Sequence, residues 1–264
     1  MNKTGEEPIL SLPERHNRIL ALLQQFGSIS VAQLAERLKV SEVTIRKDLS
    51  YLEQQKKLYR THGSAILISP YISDRHVNEK EKRNVAEKRA IGAFAASLIA
   101  QDDSIIIASG TTVTFLAREI NPAGHLTAIT ASVPVTQILS QCPDVDVIQL
   151  GGITRSSSVS VVGPFAEQML RSFNCSKLFI GVDGIDTEFG LTTTNMLEVS
   201  LNGAMIDAAQ KVIVLADSSK FGRRGFSKIC DLESVDRIIT DSGVQSVYLD
   251  RLRERGIEVT VVDV

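Results

Sequence analysis

At 264 residues, 43% of them hydrophobic, the chain is long enough for two cores, one small and one of ordinary size. Its formal net charge of −2 excludes a protein coated in positive charge, but the balance is uneven. Up to Ser69 ten Lys/Arg stand against seven Asp/Glu, which leaves nineteen against twenty-four of the totals of 29 and 31 for the rest.

The N-terminal MNKTGEEPIL carries acids where a signal peptide needs an apolar core, and runs such as SIIIA and KVIVLA are too short to span a bilayer, so a cytoplasmic protein is expected. Ser11 and Glu14 then offer a capping box for a helix carrying Ile19, Leu22, Leu23 and Phe26 and stopping at Gly27. A second box, Ser30 and Gln33, opens a helix of about two turns with Val31, Leu34, Ala35 and Leu38 on one face. Lys39 and Val40 make a tight connection to Ser41, which caps a third helix. KLYRTHGSAILI, turning at Gly63-Ser64, reads as a β-hairpin. From 69 to 84 the chain is polar without an apolar period and reads as a linker. Beyond it, apolar runs at 104–108, 126–130, 146–150, 177–182, 212–216, 237–240 and 257–262 alternate with mostly helical segments, the pattern of a parallel α/β sheet buried on both faces. Cys142, Cys175 and Cys230, odd in number and without C-x-x-C spacing, argue against a disulfide framework or zinc site and read as buried free thiols.

In the third helix Ile45, Leu49 and Leu52 form a narrow core stripe. Val43, Lys47 and Ser50 lie opposite, and Thr44, Arg46 and Tyr51 flank them. A short helix, a tight turn and a second helix with an outward cationic face match a helix-turn-helix that enters the major groove. Arg46 and Lys47 suit guanine edges or phosphate, and the Val43 methyls suit a thymine methyl. A solvated helix face is the plainer reading of these residues alone. The capped helices before it and the hairpin residues Arg60 and His62 after it favour DNA.

The segment ERHNRILALLQQFGSISVAQLAERLKVSEVTIRKDLSYLEQQKKLYRTHGSAI resembles the winged helix-turn-helix of DeoR-type bacterial transcriptional regulators, with its vTIRRDL-like recognition helix and RxHGGA-like wing. It departs at Lys57 and Ser64, where the family often has glycine.

In the remainder, SIIIA runs straight into SGTT and a helical pattern, which presents backbone amides and a helix dipole to an anion. Ser109, Gly110, Thr111 and Thr112 are the expected phosphate cradle, with an ordinary helix cap as the alternative. The chain has no P-loop pattern and no G-x-G-x-x-G at a strand-to-helix junction, so nucleoside triphosphates and dinucleotides are poorly supported and no cofactor or metal is expected. Other segments fall where the sheet would place its C-terminal strand ends: Gly151, Gly152 and Arg155 in LGGITR, Asp183 and Asp186 in GVDGID, Glu198 in TTTNMLE, and Lys220 in ADSSKFG. Their carboxylates suit sugar hydroxyls, while Arg155 and Lys220 suit phosphate.

SGTT, GG-x-x-R, G-x-DGID, LTTTN-x-x-E and DSSKFG stand in the order found in the DeoR-type sensor domain, which is similar in fold to ribose-5-phosphate isomerase and glucosamine-6-phosphate deaminase. The resemblance implies a winged helix-turn-helix over 14–68 and a doubly wound, mostly parallel Rossmann-like sheet over 85–264. It implies a phosphorylated sugar effector, and as partner an operator controlling carbohydrate use. Coupling two small DNA-reading units on one duplex implies a homo-oligomer. Ala108 and Ala131 depart from the acidic residue and asparagine often found there. An isomerase or deaminase fused to a DNA-binding module is the enzymatic alternative. DGID resembles the isomerases' DGAD, but Thr187 stands where they place Glu and their glycine-rich loop is absent, so no catalysis is expected.

Overall fold

The seven apolar runs become the seven strands of one parallel sheet. A computed structural model of the chain describes residues 11–26, 28–55, 57–61, 64–67 and 76–264. Gly27, His62, Gly63, Ile68 and residues 69–75 of the expected linker lie outside them. Two compact units divide at 69/70.

The smaller unit runs α1 (Leu12–Phe26), β1 (Ser28–Ser30), α2 (Val31–Leu38), α3 (Glu42–Gln54), β2 (Leu58–Thr61) and β3 (Ser64–Leu67). The Ser30–Gln33 capping box forms in full. At α1 only half of one forms: Glu14 Oε2 accepts from the Ser11 amide at 3.0 Å, while the Ser11 hydroxyl donates to the same carboxylate instead of capping an amide. Lys39, at φ 54°, ends α2 in the left-handed region, and Ser41 accepts from the Thr44 amide to start α3. The expected hairpin pairs Arg60 with Ala65 and Thr61 with Ser64. It gains a third strand, because β1 pairs antiparallel with β3. Ile19, Leu23, Leu34, Ile45, Leu49, Leu52 and Leu58 are fully buried in the shared core.

The larger unit begins with α4 (Val77–Glu81) and α5 (Val85–Ala96). It continues through β4 (Ser104–Ile107), α6 (Thr111–Glu119), β5 (Leu126–Thr130), α7 (Val133–Leu139) and β6 (Val145–Gln149). After β7 (Ile153–Arg155), β8 (Ser160–Val162) and α8 (Pro164–Leu170) come β9 (Lys177–Gly181), β10 (Gly184–Asp186), β11 (Gly190–Thr193) and α9 (Met196–Asp207). The chain ends with β12 (Val212–Leu215), β13 (Ser227–Cys230), β14 (Arg237–Asp241), α10 (Ser246–Glu254) and β15 (Glu258–Val262). The seven-stranded sheet has the order β15-β14-β12-β9-β4-β5-β6, parallel throughout.

Alternation along β4 sends Ile105 and Ile107 to the face covered by Ile91 of α5, Leu116 of α6 and Leu139 of α7. Ile106 and Ala108 go to the face covered by Leu170 of α8, Leu201 and Met205 of α9, and Leu252 of α10. The sheet is therefore doubly wound. Helices α5 and α6 approach closely at Gly92, where a Cβ would lie 2.7 Å from the Leu116 amide nitrogen. The strand order reverses between β4 and β9, and this switch point opens a crevice at their C-terminal ends. Two further sheets, β7-β8 and β10-β11-β13, are antiparallel.

The expected linker needs correction in its second half, which holds α4. This helix has no apolar period because polar contacts hold it: the Val77 amide donates to the Ser157 carbonyl at 2.7 Å, and Arg118 pairs with Glu81 at 2.5 Å. All three cysteines are free, Cys175 buried and the other two half-buried. Among the described residues no helix is long and apolar enough to cross a membrane.

Candidate DNA-reading face and effector pocket

The core stripe of α3 falls where the sequence places it, with Ile45, Leu49 and Leu52 buried. Val43 is 59% exposed, Arg46 and Lys47 are exposed, and Thr44 and Ser50 are half-buried. Arg46 Nη2 pairs with Glu42 Oε2 one turn back at 2.5 Å. Ser50 Oγ donates to the Arg46 carbonyl at 2.8 Å and accepts from Arg60 Nη1, while the Arg60 amide donates to Glu53 Oε1 at 3.0 Å. Ser50 thus ties the Arg60 guanidinium of β2 to α3. The helix also buries Asp48, which the stripe argument passed over. Both its oxygens face Arg15, and His16, stacked on Tyr51 at 5.1 Å, lies 3.2 Å from one of them.

In the larger unit a cavity of about 70 Å3 occupies the switch point. Gly110, at φ 132°, precedes α6 in a conformation that favours glycine and leaves no side chain there to cap the helix. The first turn, with Thr111 and Thr112, faces the cavity beside Ser109 and Gly110. Opposite, the end of β9 supplies Gly181, Val182 and Asp183. Glu198, Lys220, Thr193 and Asn202 complete that wall, together with Ser157, Ser158 and two residues of α4, Val77 and Lys80.

Asp183 Oδ2 accepts from the amide and hydroxyl of Thr194 (3.2 and 3.1 Å) and lies 3.2 Å from the Thr193 hydroxyl, which it shares with Glu198, and Oδ1 accepts from Lys80 Nζ at 2.9 Å. Burial alone would raise this carboxyl. The charges of Lys80 and Lys220 and the surrounding hydrogen bonds outweigh it and hold the group below its ordinary range. Lys220 is shifted down by burial, against the pull of Asp183 and Asp217. The pocket thus combines a helix N-terminus and two ammonium groups, which suit an anion, with carboxylates placed for hydroxyls.

Of the sequence candidates, Ser109, Gly110, Thr111, Thr112, Asp183, Glu198 and Lys220 come together on the lining. Gly151, Gly152, Arg155 and Asp186 do not. Asp186 is buried against Arg224, whose Nε and Nη2 reach it at 2.8 and 3.0 Å, and it accepts the Glu188 and Phe189 amides of the β10-β11 turn. Gly152 packs backbone on backbone, since a Cβ there would meet the Val162 carbonyl oxygen at 2.7 Å. Arg155 acts one step removed, gripping Glu198 while Thr193 Oγ1 donates to the other carboxylate oxygen at 3.0 Å. Ala108 and Ala131 pack in the core with Ile106, Ile129 and Ile180, and neither lines the cavity.

Residues 15–71 match the model of the DeoR-like helix-turn-helix domain, and residues 83–242 that of the DeoR C terminal sensor domain. The chain belongs to the DeoR family of transcriptional regulators. Its DeoR-type relatives include the HTH-type transcriptional regulator YulB of Bacillus subtilis, 38% identical over 94% of this chain and 96% of its own. The HTH-type transcriptional repressor GlcR of the same organism is 34% identical over 95% and 96%. The lactose phosphotransferase system repressor of Streptococcus mutans is 36% identical over 86% and 91%. These relatives are regulators, not enzymes. A ribose 5-phosphate isomerase of Methanocaldococcus jannaschii aligns with 55% of this chain and 55% of its own at 15% identity and a TM-score of 0.36, too distant to carry an argument.

Proposed function

We propose that this DeoR-family regulator represses a carbohydrate-use operon and that a phosphorylated sugar, held in the switch-point cavity, sets its affinity for the operator. The observation that carries the reading is the convergence of Gly110, Thr111 and Thr112 with Lys220 and Asp183 on one cavity, an anion site beside hydroxyl acceptors. Two relatives named as repressors, one of them of the lactose phosphotransferase system, agree with it. Val43, Thr44, Arg46, Lys47, Ser50, Arg60 and His62 are the proposed DNA contacts, within a reading unit spanning 14–68; residues 85–264, together with α4, sense the effector.

The larger unit also serves to pair copies of the chain, placing two reading helices on a two-half-site operator. Phe165, Met196 and Phe226, 70%, 67% and 69% exposed, support that role as large apolar side chains left in solvent.

Thermal-shift screening of the full chain against hexose and pentose phosphates tests the effector half. A compound bound only by the folded state raises the midpoint, and the same compound must then change operator affinity in a gel-shift titration. A panel in which no sugar phosphate does both would leave an oligomeric DNA-binding regulator without this effector.

A further inference from the structure

Inside the switch-point cavity the Lys80 ammonium is already paired with the Asp183 carboxylate, so an anion entering it competes for that cation. The wall differs in how firmly its parts are built. The strand ends and α6 belong to the buried sheet, whereas α4 is a five-residue helix, too short to persist without its contacts.

Those contacts are few and polar. Lys80 pairs with Asp183 on the cavity lining, and its side chain remains 27% exposed. The Val77 amide donates to the Ser157 carbonyl, Glu81 pairs with Arg118, and the buried Lys88 donates to the Lys80 and Arg83 carbonyls at 2.5 and 2.6 Å. Asp183 does not depend on Lys80. Its Oδ2 keeps the amide and the hydroxyl of Thr194, and the charge of Lys220 acts on it as well. An ammonium on a flexible, half-solvated stem can therefore leave Asp183 without stranding a buried charge.

We propose that Lys80 is the movable counter-ion of this pocket: it closes the ligand-free cavity by pairing with Asp183, and a phosphate seated on Thr111 and Thr112 takes it over, shifting α4. The inference rests on the sugar-phosphate reading above and adds the part that moves. Release of Lys80 also frees Asp183 Oδ1 for a sugar hydroxyl, so the two halves of the ligand are sensed together. Helix α4 stands between residues 68–75 and the rest of the larger unit in the chain. Because Lys80 has a different partner in each state, the ligand favours one arrangement, which any population shift requires.

Inorganic phosphate is a sufficient probe, followed by 31P NMR titration of the full-length wild type, Asp183→Asn, Lys80→Gln and the double variant. Asp183→Asn frees Lys80 and should tighten phosphate by about fivefold or more, the lower end of ordinary coupling between linked groups. In the Lys80→Gln background the same change should give clearly less, because only the lost repulsion from Asp183 remains. Hydrogen exchange of the amides from 77 to 83 should change when phosphate is added to the wild type. An equal gain in both backgrounds, or unchanged exchange in α4 despite bound phosphate, would overturn the role of Lys80 and leave the cradle standing. If none of the four proteins binds phosphate, the anion site itself fails and the proposal goes with it.

Discussion

Arg15 and Asp48 lock the first helix of the small unit to its third, with Arg15 Nε and Nη2 at 2.5 and 3.0 Å from the two carboxylate oxygens. Burial on its own would raise the Asp48 carboxyl, but the hydrogen bonds and charges of Arg15 and His16 together hold it below the usual carboxylate range. Truncation to Asp48→Ala removes the buried carboxylate that Arg15 and His16 hold and should destabilise the small unit by about 3 kcal/mol. The sign of the pH effect follows from the depressed value. The stability it gives is present above the ordinary carboxylate range and lost as pH falls through the folded value. Hydrogen exchange of residues 42–54 in the full chain should accelerate in Asp48→Ala at neutral pH. Wild type and Asp48→Asn should converge in stability as the solution is acidified.

Arg46 and Lys47 lie off the buried stripe, so removing either side chain should leave folding intact. The Arg46–Glu42 pair is exposed, with both side chains about half accessible, and contributes little to stability. DNA phosphates or guanine edges would take over that guanidinium. Loss of a phosphate contact should lower the slope of log affinity against log salt by about one unit, while loss of a base contact should cost about 1 to 3 kcal/mol and relax specificity. Gel-shift titrations at several salt concentrations separate the two for Arg46→Ala and Lys47→Ala. Wild-type affinity in both variants would remove α3 as the reading helix.

What was legible in the sequence follows from the range of the forces involved. Capping at Ser30 and Ser41, the α3 stripe and the seven parallel strands are local patterns of period and hydrogen bonding, and each stands where the sequence puts it. The strand β1 was not legible, since three residues carry no period and its pairing is set by β3. Helix α4 was missed for a related reason. Its partners Ser157, Asp183 and Arg118 lie far along the chain, and its polar sequence looks like linker. Strand-end placement brings Ser109 to Thr112, Asp183 and Lys220 onto one cavity but leaves Asp186 and Gly152 off its lining. A carboxylate or glycine after a strand serves a turn or close packing as readily as a ligand.

Lys88, which donates to the Lys80 and Arg83 carbonyls, gives the larger unit a pH signature. Burial, opposed by Asp217 and reinforced by the charge of Lys220, with Glu81 and Glu87 also pulling upward, lowers its ammonium from 10.5 to about 8. Between these values the unfolded chain binds a proton that the folded chain does not, so the stability linked to this group rises with pH across that window. Denaturant midpoints of the wild type should gain on those of Lys88→Met as pH is raised from about 8 towards 10. A constant difference between the two proteins over that range would show that Lys88 titrates normally.

Thr111 decides between the two readings of SGTT, because a carboxylate placed there competes only with a bound anion. Thr111 is 8% exposed at the first position of α6, facing the cavity, and an acidic side chain in a first helical turn is favourable, so Thr111→Glu should fold. Its carboxylate occupies the place of the phosphate and repels a second anion, which should abolish the thermal shift given by the best sugar phosphate. Affinity for operator in the absence of ligand should be kept, since the exchange leaves α3 untouched. What should disappear is the change of operator affinity when the ligand is added, because the variant can no longer be driven from one arrangement to the other. The measurement is an operator titration of both proteins with and without that compound. A variant that still responds at the wild-type midpoint would return SGTT to an ordinary helix start and leave Lys220 and Lys80 as the groups that hold the phosphate.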